Sequence, residues 1–304
     1  MSRESFPGTV PNERAPRQAL EIHSASPLEE RDRKILESHH ADLADLCGEK
    51  PIPAEVIVAD RTTWEQEVMR EGLAKKRDYT GSAIEVPAPA IGLPHVLLPG
   101  PDVFAPDSQA AYKLAYEQSD ILKQAIAEHP EEVYRAIYLE DIAGHELSHL
   151  YQFTKEQRET LAGLSREPLL SDPVTGEKYS EYNREYSKAL PLREFTACLY
   201  GLERLFSSDA GHDIERGFLE ANSKAESMAG YPGEQATRTM ASASLLAAGL
   251  DRDAMRGLFK ACRGDEVMQL AVQKDVERYV SGELPPEEFI GILRRISHPE
   301  PISA

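Results

Sequence analysis

Apolar residues in this chain change their period several times, and each change marks an element. Between Leu28 and Leu46 the positions Ile35, Leu36, Leu43 and Leu46 recur at helical spacing among charges, which predicts a surface helix. Pro51 to Asp60, PIPAEVIVAD, switches to a short β-branched run and predicts a strand. Thr62 or Thr63 then offers an N-cap to an amphipathic helix in TTWEQEVMREGLAKK. After Gly81 the stretches SAIEVPAPA and IGLPHVLLPG are apolar but rich in proline, which cannot donate to a sheet ladder, so an edge strand beside a cleft is expected there. Ser108 to His129 reads as a helix. Another starts at Pro130 and runs to about Phe153, with proline in its first turn and Glu131 and Glu132 at its positive end. Its Val133, Ile137, Gly144, Leu147 and Tyr151 form one stripe that can face a core.

From Thr154 to Leu190 the Pro, Gly, Asp and Ser content, centred on SDPVTGEKYSEYNREYSK, predicts a long loop. Pro191 opens a further helix, PLREFTACLYGLERLF. Everything after about Asp213 reads as helices, including Ala236 to Leu250, Asp265 to Val280 and Pro286 to Ile296. Residues 1 to 27 have few large apolar side chains among Pro, Arg, Glu and Ser, a composition that cannot repay its own ordering, and are expected to be a flexible arm. No internal repeat is found.

Composition narrows the partners. A formal net charge of −18, from 52 acidic against 34 basic residues, repels nucleic acid and anionic membranes on average, so neither is an expected partner. The three cysteines, Cys47, Cys198 and Cys262, are odd in number and widely spaced, which fits neither a disulfide framework nor a four-thiolate zinc site. The N-terminus lacks the apolar run of a secretory signal, and no stretch reaches membrane-spanning length, so a cytoplasmic location is expected; export without a cleaved signal stays open. With 304 residues, 41% of them hydrophobic, the chain can bury one substantial core and a smaller second one.

The candidate chemistry lies in GHELSH, which holds the H-E-x-x-H pattern as His145, Glu146 and His149. Two histidines four apart on a helix project from one face, so two imidazole nitrogens can reach one ion. Glu146 is rotated about 100° from His145, which suits a base beside the metal better than a ligand. A carboxylate there can take a proton from zinc-bound water. Gly144 allows a neighbouring element to approach closely.

A catalytic zinc takes three protein ligands and a water. The longer H-E-x-x-H-x-x-G-x-x-H arrangement is excluded, because positions 152 and 155 are Gln152 and Lys155. The leading candidate for the third ligand is Glu194, in the expected first turn of the helix that begins at Pro191, where its charge suits both a cation and the helix N-terminus. Ala197 and Gly201 give that helix a small-residue face against the motif helix. Glu181, Glu185, Glu203 and His212 are alternative ligands. Tyr182, Tyr186 and His212 are candidate donors to a developing oxyanion. Asp141, one turn before His145, is a candidate to hold an imidazole in its tautomer, against a plain solvated carboxylate. Ile91 to Leu98 could present backbone groups to an extended peptide, with His95 structural.

His145, Glu146, His149, Glu194 and Ala197 together resemble the gluzincin class of zinc metallopeptidases. From His145 to Gln152 the chain is also similar to small bacterial metallopeptidases with H-E-L-x-H-x-x-Q. The resemblance covers roughly residues 50 to 205 and implies an α+β, zincin-like domain with a small mixed sheet and an active-site helix. It implies a zinc-dependent hydrolase acting on a peptide or protein substrate. The segment REFTACLYG lacks the N-E-x-x-S-D signature of the thermolysin-like branch, so that branch's partners do not carry over. The expected organisation is an arm (1–27), the zincin-like domain (28–210) and a helical C-terminal region (211–304). The rival readings are a non-catalytic zincin-like metal-binding or protein-interaction module, and a helical interaction protein without metal.

Overall fold

Four short strands build a small mixed sheet, seen in a computed structural model that describes residues 20–24, 27–60, 84–86, 95–108, 113, 116–159, 188–225 and 234–298. The strands are β1 (Leu20–Ser24), β2 (Ala54–Ala59), β3 (Ile84–Val86) and β4 (His95–Pro99), in the order β1-β2-β4-β3. β1 and β4 run parallel to β2, and β3 is antiparallel to β4. Ala54, Val56, Val58, Val96 and Leu98 point into the main hydrophobic core. The intervening positions, including Glu55 and Ile57, face the other side.

Two expectations about the sheet are corrected. Leu20–Ser24 lies inside the expected flexible arm, yet it pairs residue by residue with Ala54–Val58. Leu20 is buried and Ile22 packs on the core, so the backbone ladder and two apolar contacts outweigh a composition that looked too polar to order. His95 to Leu98 of the second proline-rich stretch are not the edge: β4 is paired on both sides, and β3, from the first stretch, takes the outer position among the described residues. Proline is tolerated in β4 because Pro99 is its last residue and Gly100 N–H supplies the next bond, 2.6 Å to the Ala59 carbonyl. Only glycine fits there, since a Cβ on Gly100 would come 2.9 Å from that oxygen.

Helix α1 (Glu30–Cys47) matches the first helical period and stops at Gly48, whose φ of 63° is the left-handed conformation that ends helices. The single helix expected from Ser108 to His129 is interrupted. Ser108 follows a short 3₁₀ turn (Pro101–Phe104), and α2 (Asp120–Glu128) starts only after Ser119 caps the Leu122 N–H. The helix expected at Thr62 or Thr63 lies outside the described residues.

α3 is a continuous helix in three segments: α-helical Pro130–Tyr134, π-helical Arg135–Ile142 and α-helical Ala143–Tyr151. All five expected stripe residues are buried. The widened turns give this helix a broader apolar face than the stripe alone, burying Tyr134, Tyr138, Leu139 and Ile142 as well. His39 of α1 reaches into this segment, its Nε2 donating to the Leu139 carbonyl at 2.8 Å. A side chain inserted at a helix carbonyl is a recognised cause of such widening.

α4 (Leu190–Ser207) packs along α3. The contact depends on Gly201, where a Cβ would lie 2.5 Å from the Asp141 carbonyl oxygen. α5 (His212–Ala225), α6 (Glu234–Ala247), α7 (Arg252–Cys262), α8 (Glu266–Val280) and α9 (Pro286–Ser297) complete the described chain. They build no separate core among the described residues. Phe289 stacks on Tyr279 (5.1 Å) and also meets Phe195 of α4, and Phe259 packs on Tyr200, so these helices brace α4 from behind. The three cysteines are free, and no described helix is long and apolar enough to cross a membrane.

Candidate metal centre

The i, i+4 spacing on the last segment of α3 does what helical geometry requires. The Nε2 atoms of His145 and His149 lie 3.3 Å apart, with the rings edge to face. The side chain of Glu194 enters from α4: its Oε2 is 3.7 Å from His145 Nε2, and its Oε1 is 3.8 Å from His149 Nε2. Zinc ligands at about 2.0–2.2 Å in a tetrahedral set stand roughly 3.3–3.6 Å from one another. The three side chains converge close to that spacing, with each imidazole nearest a different oxygen of the Glu194 carboxylate. Glu146 belongs to the same cluster, its carboxylate within 4.8 Å of both imidazoles.

Two helices hold the three side chains, α3 the histidines and α4 the carboxylate. Gly144 is flanked by His39 and Tyr200, either of which would be 3.4 Å from an added Cβ, so α1 and α4 grip the helix just before His145. His149 is almost wholly buried and is oriented by Gln152, whose Oε1 lies 3.1 Å from Nδ1. The amide is in turn fixed by its Nε2, which donates to the Arg193 carbonyl at 2.9 Å. With the amide oxygen facing the ring, Nδ1 carries the proton and Nε2 presents a lone pair towards His145 and Glu194. Glu194 sits just beyond the first turn, because α4 begins at Leu190 and not at Pro191. At that depth it gains little from the helix end.

The electrostatics suit cation binding. Burial, reinforced by His149 and Arg238 and opposed by Glu194, lowers His145 to about 4, so its ring is neutral and can ligate at neutral pH. For Glu194 burial acts upward, but His149, His145 and Arg238 outweigh it and hold the carboxyl below its usual range, which keeps it ionised. Arg238 of α6 places Nη1 4.0 Å from Glu194 Oε2.

The remaining sequence candidates divide clearly. Glu203 is nine residues past Glu194, about half a turn round the helix, and accepts from Ser207. His212 is fully exposed and bonds Glu215 at 3.0 Å. It forms no hydrogen bond or ion pair with the cluster among the described residues, and the structure does not bring it to the imidazoles. Tyr182, Tyr186, Glu181 and Glu185 lie outside the described residues. Asp141 has no hydrogen bond to either imidazole among the described residues. Its carboxylate lies against Gly201 instead, with Oδ1 2.7 Å from where a Cβ would be.

Burial pushes the Asp141 carboxyl up to about 7. A carboxyl with a higher pKa folded than unfolded binds more protons in the native state, so stability is lost as pH rises from the unfolded value, about 4, through 7. Asp141→Asn is therefore expected to raise the melting temperature at about pH 8 and to leave it unchanged below about pH 4. A series of thermal melts across that range checks the difference; a pH-independent gap contradicts it.

No protein-family model, curated protein or solved structure matches this chain. The reading of the site rests on its own geometry. Two of its members were not assigned by the sequence. Gln152 was visible as the last letter of the motif, three residues past His149, where a helix turn brings it back beneath the ring. Arg238 gave no signal, since it lies 44 residues past Glu194 on a helix of ordinary polar pattern.

Proposed function

We propose that the protein is a zinc-dependent peptidase of zincin-like build, with His145, His149 and Glu194 as metal ligands and Glu146 as general base. The observation that carries this reading is the convergence of the two imidazoles and the carboxylate from two helices at 3.3, 3.7 and 3.8 Å, with Glu146 beside them. When bound, zinc would bring the pKa of a water towards neutrality and polarise a carbonyl. Glu146 accepts the proton of the attacking water and passes it to the leaving amine. Gln152 keeps the His149 lone pair on the metal side of the ring. Arg238, rather than His212, is the cation placed to meet negative charge that develops near Glu194.

The sheet supports a peptide as substrate. β3 is an antiparallel edge strand among the described residues and packs near the motif segment of α3. An extended peptide could pair with that edge and cross the face of Glu146. The test is cleavage of a broad peptide library by the zinc-loaded protein. Cleavage is expected, is lost with a chelator and returns with added zinc. Absence of cleavage by the loaded protein, or cleavage indifferent to the chelator, overturns the reading.

A further inference from the structure

A second group of ligating side chains lies on the sheet, apart from α3 and α4. Residues paired across parallel strands share a face. Glu21 of β1 is the partner of Glu55 of β2, and Glu55 is in turn the partner of His95 of β4. His23, two residues after Glu21, returns to that same face. His23 Nε2 lies 2.9 Å from Glu55 Oε1 and 3.9 Å from Glu21 Oε2, and one ligating atom of each of the three lies within 4.8 Å of the others.

Two features set this group apart from an ordinary surface ion pair. Glu55 keeps only 8% of its exposure, and its Oε2 is buried without a hydrogen-bond partner among the described residues. A buried carboxylate oxygen left unmet is costly. In addition, Glu21 and Glu55 are like charges directly opposite each other on neighbouring strands, which disfavours the pairing of β1 with β2. One imidazole offers at most a single positive charge to two carboxylates. A divalent cation neutralises both.

We propose that Glu21, His23 and Glu55 bind a first-row divalent cation of the zinc class and that this cation clips β1 to the rest of the sheet. One nitrogen and two carboxylate donors suit such an ion. The separations of 2.9 and 3.9 Å bracket the roughly 3.3–3.6 Å of a tetrahedral zinc set, and exposed His23 leaves room for water as a further ligand. The inference stands without the peptidase reading, since it shares no residue with it.

The test uses the full-length, untagged chain carrying His145→Ala and His149→Ala, so that metal binding at α3 does not enter. Cobalt(II) is titrated by equilibrium dialysis, and hydrogen exchange is followed at residues 20–24. One cobalt per chain is expected, with slowed exchange in that strand. Adding His23→Gln, at an exposed position that does not endanger folding, weakens binding at least about tenfold. Glu55→Gln, which keeps an oxygen for His23, does the same. No cobalt bound, unaltered exchange at residues 20–24, or undiminished affinity in either variant overturns the proposal.

Discussion

Glu146→Gln is expected to lower peptide cleavage by about 10²–10⁴-fold while the protein keeps its fold and its zinc. Glutamine preserves the shape of the side chain and removes the basic oxygen, so the change isolates proton transfer from metal binding. The role follows from position. Glu146 follows His145 by one residue, which turns its carboxylate away from the imidazole axis, yet leaves it within 4.8 Å of both ring nitrogens. Zinc content by elemental analysis and turnover on a cleaved library peptide check the two halves separately. Equal cleavage by variant and wild type removes Glu146 from the mechanism, and loss of zinc makes it a ligand instead.

Glu194→Ala is expected to weaken zinc binding by more than the about 10–100-fold that loss of an outer partner costs. Glu194 supplies the only carboxylate that α4 directs at both imidazoles, at 3.7 and 3.8 Å, among the described residues. Its removal also leaves Arg238 facing two histidines without an intervening negative charge, which further disfavours a cation. Competition against a chelator of known affinity measures the change. Full affinity in this variant eliminates Glu194 as the third ligand and directs attention to the segment between Glu159 and Lys188.

The two halves of the site differed in how readable they were. The histidine pair and Glu146 are local, set by a helical repeat that any six-residue window reveals. Glu194 was found by elimination, because Gln152 and Lys155 closed the alternative and Pro191 announced a helix with a small-residue face. The small face proved to be the reason α4 can lie on α3 at all, through Gly201 against Asp141. Arg238 was not readable, since its place depends on how α6 packs on α4, a contact without local pattern.

The fold shows the same divide. Helical periods gave α1, α3, α4 and the C-terminal helices, and β-branched Val56 to Val58 gave β2. β1 was missed because its gain comes from pairing with β2, and that partner is 34 positions away. Of the two proline-rich stretches expected to hold an edge strand, the first does hold the outer strand β3, whereas the second is paired on both sides, because Pro99 ends its strand and Gly100 makes the next bond. The π-helical turns before His145 depend on His39, about a hundred residues earlier, and no window on α3 alone contains that information.

The central claim is that two helices present His145, His149 and Glu194 to one zinc ion. Anomalous diffraction at the zinc edge from crystals of the zinc-loaded protein tests it most directly. The expected result is a peak about 2.0–2.2 Å from His145 Nε2, His149 Nε2 and a Glu194 carboxylate oxygen. A zinc-loaded crystal with no peak between those side chains, or with Glu194 turned away from it, contradicts the claim.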